Sequence, residues 1–273
     1  MTILAGGVFC AGAFANVMQI DSPALVGTAL NQWARLVNDP IGRPFSVLKC
    51  AVAQGNYAAA PSSSAKRAEV NETSTHPSWG VEYTYYWRFI IPPDWVNFGG
   101  TTQVVAFQIH DLDSLSIARN PPMLGLIVNN VLTIQTANDA HPSGVAVYTM
   151  SVAPSQEIEI FMRIKWADTY HVVAALGKQQ ITVNGSLVYS NDGQLNTYND
   201  GVTETTSPYL KAGMYWPNMD SDAALVGKSG NMYHVASMVG DSSETLATMQ
   251  AYVAAALAAN PNTLKVSNGW TSH

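Results

Sequence analysis

Three short segments gather the polar side chains from which chemistry is built: Arg67-Ala68-Glu69, Gln108-Ile109-His110 and Tyr209-Leu210-Lys211-Ala212-Gly213-Met214-Tyr215. In each, polar and apolar residues alternate, so an extended chain sends its polar groups to one face and its apolar residues to the other. Antiparallel sheets with one packed face and one wet face read this way. If the three segments share a sheet, its wet face presents a guanidinium, a carboxylate, an amide, an imidazole, an ammonium and two phenols. Such a face suits an anionic, hydroxyl-rich ligand, because cations and amide donors hold its charge while imidazole and phenol exchange protons with it.

The elements that must position these residues are mostly strands. Residues 82–91, 103–110, 124–135, 145–152, 157–166 and 170–176 are rich in β-branched and aromatic side chains and are separated by Pro, Gly, Asn and Asp clusters. Asn184-Gly185, flanked by Gln180-Ile181-Thr182-Val183 and Ser186-Leu187-Val188-Tyr189, predicts a two-residue type I′ hairpin. The last strands are expected at 209–215 and 232–239. Helices are expected only at the ends. Ser22-Pro23 reads as an N-cap followed by proline, leading Leu25, Leu30, Trp33 and Val37 into a short helix that ends near Asp39-Pro40. Asp241 with Glu244 resembles a capping box ahead of Leu246, Met249, Val253 and Leu257, in a helix ending near Asn260-Pro261. The pattern predicts an all-β fold, an antiparallel sandwich or jelly roll with short N- and C-terminal helices. Residues 1–60 are read as an N-terminal extension packed on the main domain, 61–240 as that domain, and 241–273 as a C-terminal helix and tail. The terminal helices either pack on the convex sheet or serve as contacts to another subunit, in a homo-oligomer or a particle.

Composition narrows the partners. The chain has 273 residues, a formal net charge of −6 and only 12% charged residues, well below the roughly 25% of an average soluble domain. No basic surface points to nucleic acid, and no run of 18 or more apolar residues suggests a membrane span. The uncharged polar surface and the apolar start that lacks a positive n-region suit an extracellular or particle-bound protein with a retained N-terminus. Cys10 and Cys50 leave one bridge or two buried thiols open. The six histidines show no metal-ligand spacing, and no cofactor is called for.

With these residues in view, the sequence resembles the jelly-roll polysaccharide lyases, the alginate lyases of polysaccharide lyase family 7 and their glucuronan lyase relatives. Those families carry R-[ST]-E-[LV], Q-[IV]-H and Y-[FL]-K-A-G-x-Y strands, and here Arg67-Ala68-Glu69-Val70, Gln108-Ile109-His110 and Tyr209 to Tyr215 follow in the same order. The resemblance covers about residues 67–239 and implies a concanavalin A-like jelly roll that cleaves an anionic, uronate-containing polysaccharide by β-elimination without a metal. It implies that Arg67 and Gln108 neutralise the uronate carboxylate and that His110 and Tyr215 handle protons. Glu69, Lys211, Tyr209 and Trp216 are then expected to orient these groups or contact the sugar. Lys211 and Arg67, if on the same face as Tyr215, would favour its phenolate. Two departures stand out: Ala68 replaces the usual hydroxyl residue, and Trp216-Pro217-Asn218 replaces a polar continuation.

Each feature has a plainer reading. An Arg-Glu pair on alternating positions is often a cross-strand ion pair, a strand histidine is usually structural, and Trp87 and Trp166 sit in apolar strands where core packing is the default. His76, His141, His171 and His234 receive no role. The rival to a lyase is a non-catalytic glycan-binding or structural jelly roll, such as a decoration, fibre or tail component of a bacteriophage particle. A calcium-dependent lectin of the same architecture rests only on Asp111 and Asp113.

Overall fold

The computed structural model describes residues 7–9, 18–21, 34–53, 66–72, 78–96, 104–111, 119–170, 177–199, 208–217, 221, 229–259 and 264–266. Within them the apolar-alternating segments pair into two sheets. One contains β3 (Ala34–Asn38), β4 (Ser46–Ala53), β6 (Glu82–Ile90), β11 (Glu157–Lys165), β12 (Lys178–Val183), β13 (Ser186–Asp192) and β15 (Ser229–Asp241). Its main path is β13-β12-β11-β6-β15, continued by β1 (Gly7–Phe9) and β16 (Leu264–Val266), with β4 pairing the first half of β15 and β3 pairing β4. The other sheet runs β10-β9-β8-β7-β14-β5-β2, where β2 is Met18–Asp21, β5 Lys66–Glu72, β7 Val104–His110, β8 Met123–Val128, β9 Val131–Asn138, β10 His141–Ser151 and β14 Tyr209–Trp216. All pairings in this second sheet are antiparallel. In the first sheet, only β1 pairs in parallel, with β15 and β16.

Between the sheets lies one apolar core. Trp87 and Phe89 of β6, Phe107 and Ile109 of β7, Leu210, Ala212 and Met214 of β14, and Ile158 and Ile160 of β11 are all buried in it. Trp87 and Phe107 meet across the interface with ring centroids 4.8 Å apart. Burial of this kind contributes about 1.5–3 kcal/mol per large side chain. A second cluster covers the outer face of the first sheet, where Met249 and Val253 of α1 (Leu246–Ala259) pack with Tyr86, Phe161 and Met238. The C-terminal helix therefore packs on the sheet, one of the two roles expected for it. Cys50 is a free thiol buried in the core, and burial followed by the nearby Glu69 charge pushes its pKa up. Cys10 lies outside the described residues.

Local chemistry explains most boundaries. Asn184 and Gly185 both take positive φ, 48° and 80°, as a type I′ turn requires. Asn129 and Asn130 do the same at 50° and 60° and divide the expected 124–135 strand into β8 and β9. The N-terminal helix is corrected over its last part. Residues 34–38 form β3, pairing antiparallel with β4 from Ala34 opposite Cys50 to Asn38 opposite Ser46, because pairing with the next strand outweighs a local helical spacing. The rest of that segment, 22–33, lies outside the described residues, as does 171–176 of the expected 170–176 strand. The expected cap of α1 also moves. Asp241 closes a short turn through Ser243 N–H (2.7 Å), while Thr245 is the N-cap, its hydroxyl accepting from Thr248 N–H at 3.2 Å.

Candidate active site

The strand order β7-β14-β5 places the three motif segments on adjacent strands. Their register aligns the polar positions in rows. Tyr209 lies opposite His110, and Lys211 lies opposite Gln108 on one side and Asn71 on the other. Gly213 lies opposite Glu69, and Tyr215 opposite Arg67. The intervening residues Ile109, Leu210, Ala212 and Met214 belong to the core, so Gln108, His110, Tyr209, Lys211 and Tyr215 occupy the outer face of the sheet. The Arg67 side chain lies outside the described residues; its backbone position in β5 is fixed by the pairing with Tyr215.

Two layers follow from burial. Glu69, Gln108 and Lys211 form a floor, 1%, 3% and 3% exposed, whereas the His110 side chain is 34% exposed and Tyr209 and Tyr215 are half-buried. On the floor, Gln108 Nε2 donates to Glu69 Oε1 at 2.7 Å, which fixes the orientation of the amide. Lys211 Nζ lies 5.7 Å from the centre of the Tyr209 ring, and that ring packs 5.8 Å from the His110 imidazole. A cation, an oriented amide and two proton-bearing rings are thus within one short stretch of three strands.

The tautomer of His110 follows from its partner. Nδ1 lies 2.6 Å from the backbone oxygen of Asp111, and a carbonyl only accepts, so Nδ1 carries the proton. In the neutral ring Nε2 then keeps a lone pair and serves as an acceptor or base. The Asp111 carboxylate stands 3.7 Å from the same nitrogen. It is itself paired with Arg119, both side chains being nearly buried, and the Arg119 guanidinium stacks 4.2 Å above the Tyr198 ring. The Tyr198 hydroxyl reaches the Asn120 and Pro142 carbonyls at 2.8 and 3.2 Å. The sequence pattern singled out neither Arg119 nor Tyr198 and gave Asp111 only a weak hint of calcium. The one available signal was an aspartate directly after Gln108-Ile109-His110.

β14 is irregular where the site needs it. A bulge between Ala212 and Tyr215 adds one residue against β7, and Gly213 has φ 151°. A Cβ at Gly213 would lie 2.3 Å from the Ala68 oxygen, closer than any real contact. From the core side, Trp87 Nε1 donates to the Lys211 carbonyl at 3.1 Å and His234 Nε2 to the Gly213 carbonyl at 2.9 Å. His234, given no role by the sequence pattern, thus holds the strand from which Lys211 and Tyr215 project.

Trp216 is a correction. Expected as a sugar contact, it is fully buried in the core, because it follows Tyr215 and strand alternation turns it to the opposite face. Trp87 and Trp166 are core residues, as their apolar strands suggested. Among the described residues no group of three or more His, Cys, Asp or Glu side chains is gathered as a metal site.

No curated protein sequence matches the chain. Among solved structures, the fold is similar to an endo-β-1,4-glucuronan lyase from the fungus Trichoderma reesei, with a TM-score of 0.59 and 16% identity over 84% of this chain and 96% of that one. It is also similar to a family 7 alginate lyase, A1-II′, in complex with product, with a TM-score of 0.52 and 16% identity over 79% and 85% of the two chains. These likenesses establish the jelly-roll architecture. The profile of the polysaccharide lyase family matches residues 30–234, a span that contains all three motif strands and well over half of the sequence, and the chain belongs to that family.

Proposed function

We propose that this lyase acts on a uronate-containing anionic polysaccharide by β-elimination at the β5-β14-β7 face. The observation that carries the reading is the register that sets Lys211 opposite Gln108, Tyr209 opposite His110 and Tyr215 opposite Arg67 on neighbouring strands. A base removes the proton at C5 of the uronate, the electron pair forms the C4–C5 double bond, and the C4–O glycosidic bond breaks as its oxygen takes a proton. Charge developing in the carboxylate is met by Arg67 and by the amide of Gln108, with Lys211 behind them. Tyr215 protonates the leaving oxygen, and serves as base too where proton and leaving group share a face of the ring. His110, with Nε2 unprotonated, is the base for the opposite stereochemistry. The two solved relatives are named for glucuronan and alginate, both polyuronates, which supports the substrate class. A polymer of that size is met outside the cell, so an extracellular site of action follows from the same reading. Family membership favours catalysis over a non-catalytic role in a bacteriophage particle.

The test is the ultraviolet absorbance of the unsaturated uronate product on alginate, glucuronan and hyaluronan. The parent protein is expected to release product from at least one polymer, and Tyr215→Phe and His110→Ala to lower the rate by about 10²–10⁴-fold with unchanged unfolding midpoints. Activity unaffected by both substitutions would overturn the assignment.

A further inference from the structure

A cavity of about 440 Å³ lies at the far edge of the sandwich, where the β9–β10 turn faces β12, β13 and residues 194–196. It is on the other side of the sheet from the lyase face. Gln135 of β9 lies in the row of Leu124 and Gln108, whereas its neighbour Thr136 lines the cavity.

The walls are fixed by amides. Asn138 accepts from the Ala140 and His141 N–H groups at 3.0 Å and donates to the Leu195 carbonyl at 3.0 Å. Asn196 accepts from Ala167 N–H at 2.8 Å and donates to the Lys165 carbonyl at 2.9 Å. One lining amide is left over. Gln179 is in phase with Ile181 and Val183, both core residues, so it occupies a core-facing position on β12; it is 3% exposed, and its Nε2 has no hydrogen-bond partner among the described residues. A donor buried in this way is unfavourable unless something accepts from it. Asn191 stands directly opposite on β13 and lines the same space.

The lining is poor in formal charge: it contains no Lys or Arg, its one imidazole is His141, and its one carboxylate, Asp139, accepts from Asn199 N–H at 3.0 Å. Tyr189, Val145 and Val147 add an aromatic ring and apolar surface beside the amides. An aromatic ring, apolar patches and uncharged amides match a sugar ring with apolar faces and hydroxyl edges. We infer that this cavity is a second, non-catalytic binding site for a neutral saccharide unit, separate from the face that carries His110 and Tyr215. The inference does not depend on the lyase substrate.

Saturation-transfer NMR on the intact protein tests it, with methyl α-mannoside, methyl β-glucoside and cellotetraose as probes and Gln179→Leu and Asn191→Leu as separate variants. The expected result is transfer to at least one neutral probe, weakened about tenfold in each variant through loss of one or two hydrogen bonds, with lyase activity and unfolding midpoint retained. Three results would overturn the inference: no transfer to any probe, equal transfer in parent and variants, or transfer abolished by an alginate oligosaccharide bound at the lyase face.

Discussion

His110 is positioned by a chain of contacts that runs away from it through Asp111. Its Nδ1–H bond goes to a backbone oxygen, and that backbone belongs to Asp111, whose carboxylate is tied to Arg119, which in turn lies on Tyr198. Removing one member of a buried ion pair leaves an uncompensated charge and costs about 3–5 kcal/mol. Arg119→Met is therefore expected to lower the unfolding free energy by that amount and also to let the ring shift. A misplacement of about 1 Å costs roughly a hundredfold in rate, so kcat should fall about ten- to a hundredfold with KM nearly unchanged, and Arg119→Lys should recover part of it. The double variant Asp111→Asn with Arg119→Met separates the two effects, since it removes both charges: stability should return while kcat stays low. Recovery of kcat together with stability would show that the pair serves folding only. At this scale the sequence was legible where alternation was followed. Gln108, His110, Lys211 and Tyr215 share a face as their spacing implies, and the same rule turns Trp216 into the core. The partnership of Asp111 with Arg119 was not legible, because the two are eight positions apart in sequence and no local pattern pairs them.

β14 is the element on which the site depends, since it alone touches both other motif strands. Its bulge at Gly213 is enforced by space. The Cβ of any other residue would meet the Ala68 oxygen at 2.3 Å and the Glu69 Cα at 2.6 Å, both on a backbone that is locked into the β5 ladder. Gly213→Ala must therefore either push β5 away or move β14, and the strained φ adds about 1–3 kcal/mol to the cost of the collision. The variant is expected to unfold at lower urea concentration and to lose most of its activity. Ala212→Gly, one residue away and without the collision, should lose far less activity; equal losses would mean that general strand weakening, and not the Gly213 contact, is responsible. Strand identities were largely readable from β-branched and aromatic runs and from Asn184-Gly185. The β7-β14-β5 order was not, because it joins segments about a hundred residues or more apart. The expected N-terminal helix failed at 34–38 for a more local reason: the neighbouring strand β4 offered that segment a ladder which its own sequence does not announce.

The two sheets are coupled beneath the site through His234. It projects from β15 of one sheet and donates Nε2–H to the Gly213 carbonyl of the other, while Nδ1 has no hydrogen-bond partner among the described residues. Burial pushes its pKa down to about 4, and the bond to the Gly213 carbonyl only partly offsets this. In the unfolded chain the imidazole titrates at about 6.5. Between these values the unfolded state holds a proton that the folded state does not, so stability falls as the pH falls. The contribution is fully present above about pH 6.5, is lost progressively toward about pH 4, and amounts to roughly 3 kcal/mol. Urea unfolding across that window should show the decline in the parent protein. His234→Gln retains an amide donor for the Gly213 carbonyl and removes the titration, so its stability should vary less across the same window even if it is lower at neutral pH. Parallel curves for parent and variant would assign the acid sensitivity to other groups. A reduced slope in the variant would mean that acid acts first on the contact between the sheets, under the strand that carries Lys211 and Tyr215. The acid limit of activity would then be set by the core as well as by the groups that meet the substrate.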